Sequence, residues 1–359
     1  MSREFTYSNA GVNRELRAKS KRSLSILEKT YSFSFYGKVV HLPYGKIFPL
    51  GKERYLDMVI EGVGTKVLIA QLAEKYDTIG IDGVAMAVND VIRSGAKPLA
   101  IVDNIHAQVS DPNLVKDWLY GVVKGAIEAR CVIPNGEIGD VADLIKGLTE
   151  GKGFDMVFAA LGEVKKANII SGRGIRPGDV VIGLGSSGIH SNGISLARKS
   201  LFREWGGKYY AHAILDELDR ELILEVLEPT KIYVKPVLEV AKQLDVKAAV
   251  HITGDAYLKF GHLTKFSKGV GFIFDNFKPQ PIFELIRRTA SELGKLISID
   301  EMFKTFNMGW GFALILEKKD ENVALDILEK TGTMAETIGH ITDQPHIGVL
   351  YKHKKIILK

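Results

Sequence analysis

The stretch Tyr55-Leu56-Asp57-Met58-Val59-Ile60-Glu61-Gly62-Val63-Gly64-Thr65-Lys66 and the apolar run after it change period in mid-course. Tyr55 to Ile60 reads as an extended strand and Glu61-Gly62-Val63-Gly64 as a tight turn. VLIAQLAEKY, residues 67–76, reads as a helix. A strand feeding a helix through a glycine turn predicts an α/β or α+β fold. Such a turn also aims backbone N–H groups and a lysine at phosphate. The spacing is not that of a Walker A loop, and Gly-x-Gly is common in plain strand-to-helix turns, so alone it leaves a structural role open.

The same alternation continues outward. A second helix is expected from Asp82 to Ser94, a strand over PLAIVDNIHA (98–107), a third helix from Leu114 to Arg130 and a strand over FDMVFAALGEV (154–164). SGRGIRPGD (171–179) then gathers glycine, proline and charge ahead of the apolar strand VVIGLG. The boundary is placed there, dividing residues 1–165 from residues 166–359. At 359 residues the chain exceeds what one core usually serves. The second half mixes strands near 246–252, 268–274 and 309–316 with helices near 192–204, 231–244, 282–293 and 320–331.

Composition narrows the function. The apolar fraction of 46% and charged fraction of 25% are those of an ordinary globular protein. A net charge of +5 suits phosphorylated small molecules and falls short of a nucleic-acid footprint. The basic cluster Arg14, Arg17, Lys19, Lys21 and Arg22, interrupted by Glu15, reads as a solvated amphipathic helix with Leu16, Leu24 and Leu27 at helical spacing. Cys131 is the single cysteine, which excludes an internal disulfide and a cysteine zinc site. With a polar start and no long apolar run, the expectation is a soluble, cytoplasmic protein with no membrane or nucleic-acid partner.

Three constellations carry chemistry. Around the glycine turn, Gly62, Gly64, Thr65 and Lys66 are candidates for phosphate. Inside the apolar helix, Asn89-Asp90 interrupts GVAMAVNDVI; at about 100° per residue Asp82 and Asn89 share a face, and Asp90 lies about 100° further round. With Glu61 these residues offer hard oxygen ligands for Mg2+, or else capping and inter-helix hydrogen bonds. The third is Gly185-Ser186-Ser187-Gly188-Ile189-His190-Ser191-Asn192-Gly193, where small residues let a ligand approach the backbone and Ser191 or Asn192 is a natural helix cap. Capping does not explain His190. Weaker signals follow at Glu228-Pro229-Thr230-Lys231, where Pro229 suggests a first helical turn, at His251-Ile252-Thr253-Gly254-Asp255, and at Gly309-Trp310-Gly311, which suggests a bulge.

In this order, GVGTK (62–66), DTIGIDGVAMAVND (77–90), GSSGIHSNG (185–193), PTKIYVK (229–235) and FNMGWG (306–311) resemble the aminoimidazole ribonucleotide synthetases, over most of the chain. The resemblance implies a two-domain fold whose N-terminal domain, binding ATP and metal, pairs its sheet across a homodimer. It further implies ATP-dependent closure of formylglycinamidine ribonucleotide to aminoimidazole ribonucleotide in purine biosynthesis, through phosphorylation of the formamide oxygen and attack by the amidine nitrogen. ATP and Mg2+ are the implied cofactors. Carried over by position, Gly62, Gly64, Thr65, Lys66, Asp82, Asn89 and Glu137 match the nucleotide side, and Glu61 and Asp90 the metal. Ser187, His190, Ser191, Asn192 and Thr253 match the substrate side, with His190, Lys66 and Asp90 catalytic.

Some positions depart from the family pattern. Glu61 replaces the usual Asp before GVGTK, Ile138 replaces the threonine of GGETAEMP, Asp255-Ala256 replaces two glycines of HxTGGG, and YSFSFYGKVVHLPYGKIF (31–48) lacks a glycine-rich loop. The alternative these changes allow is a diverged, non-catalytic nucleotide-binding paralogue. Selenophosphate synthetase would want a reactive cysteine well before Cys131, and the hydrogenase-maturation relative a C-terminal one.

Overall fold

A computed structural model describes residues 3–358. Its first sheet is built by strict alternation. Along Phe154–Lys165 the side chains of Phe154, Met156, Phe158 and Ala160 are buried, and those between them are only partly covered. That is the signature of a strand with one face on a core. The six strands run in the order 40–42, 45–49, 54–62, 154–165, 97–107, 136–140, antiparallel except for the last pair. Helices Ile79–Val91 and Pro112–Ala129 cover the buried face. Gly83 lets the first of them lie flat on the sheet, since a Cβ there would sit 1.9 Å from the Phe158 ring.

The opposite face of this sheet has no cover among the described residues. Met58 and Ile60 are 65% and 70% exposed, flanked in register by Leu161 and Ala159. Glu137 belongs to this face too, because the ladder aligns Gly62 with Val157, Val157 with Asn104 and Asn104 with Glu137.

The second sheet orders seven strands as 354–358, 347–351, 271–274, 335–342, 180–185, 310–316, 248–251. Its central strands Val180–Gly185 and Trp310–Leu316 are buried at every position, so they read as unbroken apolar runs rather than alternating ones. The Trp310–Phe312 step carries a bulge, as the glycines around Trp310 suggested. Helix Ile79–Val91 lies between the two halves, and all of its residues except Ile81 are buried.

The structure corrects several boundaries. The helix expected over 67–76 spans Lys66–Leu72 and stops because Glu74 turns left-handed at φ 49°. The helix expected from Asp82 starts at Ile79. No helix follows Pro229; the next begins at Val234, because the backbone of residues 228–233 is held by bonds from the first half. Neither Ser191 nor Asn192 caps the helix Ile194–Leu201. The chain enters it through Gly193 at φ 77°, and the Ser191 hydroxyl is bonded elsewhere. The hairpin 40–49, strand 136–140 and the three strands 335–342, 347–351 and 354–358 were not anticipated. Among the described residues, no helix is long and apolar enough to cross a membrane.

Candidate active site

One helix, Ile79–Val91, supplies polar side chains to two neighbouring environments. The first is a dry seam between the halves. Lys66, at the start of its helix, and Asp82 are both 0% exposed and pair at 2.8 Å. Asp82 Oδ1 also accepts from Thr230 N (2.8 Å), Thr230 Oγ1 (2.6 Å) and Ser191 Oγ (2.9 Å), while Lys66 donates to the Glu228 carbonyl at 2.6 Å. Burial lowers the Lys66 pKa and the Asp82 carboxylate opposes that shift. Asn89, on the same face, accepts from Tyr233 N and donates to the Lys231 carbonyl, both at 2.8 Å. The seam thus stitches helix 79–91 to the segment 228–233 through buried groups that need every partner they have.

The Gly185–Gly193 loop closes the same seam. Ser187 donates its hydroxyl to the Pro229 carbonyl at 2.5 Å, and its N–H to His190 Nε2 at 3.2 Å. Asn307 pins the loop from below by donating to the Gly188 carbonyl at 2.8 Å. His190 itself is buried at φ 64°, and burial first, then the charges of His251, Lys66 and Lys231, drives its pKa well below the usual histidine value. The ring is therefore neutral. Because Nε2 accepts, the hydrogen lies on Nδ1, which has no partner among the described residues.

The second environment is a cavity of about 670 Å³ between the halves, a volume ordinary for small-molecule sites. Asp90, 6% exposed, points here. Its Oδ1 accepts from His251 Nδ1 at 2.8 Å, and its Oδ2 pairs with Arg93 at 2.6 Å. Burial works against its charge, but Arg93 and His251 hold it well below the usual carboxylate range. Glu61, at the end of strand 54–62, is pushed up to about 7 by burial and by the charge and hydrogen bond of Asp90 beside it. Burial pushes Asp57 up to about 6, His251 down to about 4 and Lys259 down to about 8. Lys259 donates to the His251 carbonyl at 3.0 Å and to Thr253 Oγ1.

The expected site residues therefore divide. Glu61, Asp90, Asn192 and Thr253 line the cavity. Lys66, Asp82, Asn89, Ser187, Ser191 and His190 belong to the seam behind it. Gly62 and Gly64 are exposed in the turn between strand and helix, and Thr65 meets Ser195 of the second half at 3.1 Å rather than capping its own helix. Glu137 stands apart on the uncovered sheet face. The sequence reading passed over Arg93, Lys259 and Asp57, and it left His251 unassigned. For Arg93 a signal existed, since it follows Asp90 by three residues on the same helix and so reaches its carboxylate.

Among the described residues, no three His, Cys, Asp or Glu side chains converge as a metal site. A two-carboxylate site is compatible with Mg2+, which commonly takes one or two carboxylates and completes its shell with phosphate oxygens and water. Glu61 and Asp90 fit that pattern as two neighbouring carboxyl groups lining one cavity.

Both halves of the chain match known proteins. Residues 45–164 match the N-terminal domain of AIR synthase related proteins, and residues 176–352 match their C-terminal domain. The phosphoribosylformylglycinamidine cyclo-ligase of Pyrococcus furiosus is 38% identical over 349 residues, covering 96% of this chain and 97% of that one. The Methanocaldococcus jannaschii enzyme of the same name is 39% identical over 319 residues, 85% and 86% of the two chains. Solved structures share the fold at lower identity. AaThiL complexed with AMPPCP and TMP superposes with a TM-score of 0.60 at 17% identity, covering 93% of both chains. T. maritima PurL complexed with ATP gives 0.58 at 15%, covering 86% of this chain, which spans only 44% of that longer one.

Proposed function

The chain belongs to the AIR synthase related family, and from that membership we infer that it carries the activity its relatives are named for, phosphoribosylformylglycinamidine cyclo-ligation in purine biosynthesis. The observation that carries this is identity of 36–38% over nearly the whole chain to enzymes of that one name. In the reaction ATP phosphorylates the formamide oxygen of formylglycinamidine ribonucleotide. The amidine nitrogen then attacks that carbon, loses a proton and expels phosphate, leaving aminoimidazole ribonucleotide, ADP and phosphate.

Catalysis of this kind asks for positioning and for neutralisation of developing phosphate charge. Asp90 and Glu61 would hold Mg2+ in the cavity; when bound, that ion supplies positive charge to the phosphate oxygens. Lys259 and Arg93 place two fixed cations beside them. Asn192 and Thr253 face the substrate side. The exposed Gly62 and Gly64 leave the turn open to the nucleotide phosphates, and the likeness to PurL with ATP and ThiL with AMPPCP supports a nucleotide on this fold. Lys66, Asp82, Asn89, Ser187, Ser191 and His190 act from behind, fixing the turn and the loop between which both ligands lie. The uncovered sheet face with Met58, Ile60 and Glu137 supports a homodimer, because an apolar sheet face of this kind is otherwise costly to leave in water.

The test is ATP-dependent formation of ADP and aminoimidazole ribonucleotide by the purified protein with magnesium. ADP release without the ring-closed product removes the assignment. Light scattering should give twice the 39.6 kDa chain mass at micromolar concentration, and a species of chain mass alone removes the dimer.

A further inference from the structure

The cations lining the cavity differ in what they already face, and this bears on how a substrate lies if the ring-closing assignment above holds. Arg93 and Lys259 stand among the carboxylates, whereas Arg17 and Lys21 stand apart from them. Asp57, Glu61 and Asp90 sit at its buried end. Arg17 and Lys21, on the helix Arg14–Arg22, sit at its open end. That helix buries none of its own residues and is held down by polar ties. Arg14 grips Glu301 at 2.9 and 3.0 Å and the Lys304 carbonyl at 3.0 Å, and Arg17 Nη2 donates to Asp255 Oδ1 at 2.8 Å.

Asp255 reaches Arg17 only through an unusual backbone. It stands at φ 67° and Ala256 follows at φ 38°, a left-handed pair without a glycine. Such backbone is unfavourable for residues with a side chain and persists only where its surroundings hold it. Here it delivers a carboxylate to one edge of the Arg17 guanidinium and leaves Nε and Nη1 without a partner among the described residues. Lys21 stands one helical turn on, and among the described residues it has no carboxylate within ion-pair distance. A half-engaged guanidinium fork and a free ammonium at one end of a cavity match a phosphate monoester dianion.

We propose that Arg17 and Lys21 bind the 5′-phosphate of the ribonucleotide substrate, with Asp255 as the positioning residue for Arg17, so that the reacting end of the substrate is directed inward, toward the site of Glu61 and Asp90. The other source of phosphate is ATP, and kinetics separates the two. In the full-length enzyme, Arg17→Met/Lys21→Met should lower kcat/KM for the ribonucleotide at least about 30-fold, from the loss of two charge-assisted contacts. KM for ATP should stay within about twofold, and turnover of the 5′-dephosphorylated substrate should equal the parent's. Asp255→Asn should give a smaller loss of the same kind.

A raised KM for ATP with the ribonucleotide unaffected assigns the pair to ATP and overturns the proposal. Unchanged kinetics for both substrates overturns it equally. Calorimetry with ribose 5-phosphate reads the site without catalysis. The parent should bind it and the double variant should not, at an unchanged melting temperature, since neither side chain is in the core. No binding by the parent is a further contrary result. If ribose 5-phosphate binding follows this pattern but the parent closes no ring, the phosphate site stands and the proposed function fails.

Discussion

Asp82 and Asp90 leave one helix about two turns apart and meet opposite surroundings. Asp82 is sealed in the seam, where four donors converge on one oxygen and Lys66 supplies the countercharge. Asp90 opens into the cavity, where its neighbours Arg93 and Glu61 border space a ligand can fill, while His251 holds it from the buried side. A buried acid whose every neighbour is protein is a fastener. One whose neighbours face a cavity, with a second carboxyl next to it holding a shifted pKa, has the character of a reactive group. The difference follows from the 3.6-residue period alone, which turns positions 82 and 90 toward different neighbours.

The largest effect should come from breaking the fastener. Asp82→Ala leaves the Lys66 ammonium buried without its anion, and loss of one partner of such a pair costs on the order of 3–5 kcal/mol of stability. Urea denaturation measures it. A variant that unfolds like the parent yet turns over poorly would move Asp82 from the seam to the chemistry.

Asp90→Asn should show the reverse pattern, a fall in turnover of at least about 100-fold, or roughly 2.7 kcal/mol of transition-state stabilisation. The amide keeps the size and one acceptor for His251 but loses the charge that Arg93 and a magnesium ion use. Turnover across a magnesium titration, with melting as a control, reads this directly. Normal turnover by a variant that melts early would make Asp90 a second fastener.

Much of this contrast was legible in the sequence and part was not. The pair Asn89-Asp90 in an apolar helix announced buried polar work, and the strand, turn and helix of residues 55–72 gave the architecture of the first half. The partners stayed hidden because they come from far along the chain. His251 lies 161 residues beyond Asp90, and Thr230 lies 148 beyond Asp82, distances that no local periodicity spans. The C-terminal strands 335–358 also escaped, as their short runs are punctuated by glycine and charge. Ser191 and Asn192 looked equivalent in sequence, and only the left-handed turns at His190 and Gly193 send one to the seam and the other to the cavity.

Asp57 sharpens the comparison from the cavity side. Burial lifts its pKa to about 6, above the ordinary carboxylate value, so the folded state binds a proton that the unfolded chain has already released. Stability from this group is complete below the unfolded pKa near 4 and is lost as pH rises through 6. Asp57→Asn should therefore stabilise the protein by about 2–3 kcal/mol at pH 7.5 and by nothing near pH 4. Denaturation curves at the two pH values check it. An equal effect at both would show that the gain has nothing to do with ionisation.

The smallest effect belongs to Ser191, and it tests where the seam ends. Its hydroxyl donates to Asp82 Oδ1 at 2.9 Å and lies 3.1 Å from Thr230 Oγ1. Ser191→Ala removes one of four donors from that oxygen and leaves Lys66 and both Thr230 donors in place. Since the acceptor remains satisfied, the cost is that of one hydrogen bond to a charged group, about 1–2 kcal/mol, and well short of the Asp82→Ala loss. KM for the ribonucleotide should stay within about twofold, whereas Asn192→Ala, one residue on and facing the cavity, should raise it several-fold. The two variants differ by a single position in a loop of small residues, so general loosening of the loop would move both KM values together. A raised KM in Ser191→Ala at unchanged stability would mean that its hydroxyl turns from Asp82 to the substrate, and the line between seam and cavity would then run on the other side of that residue.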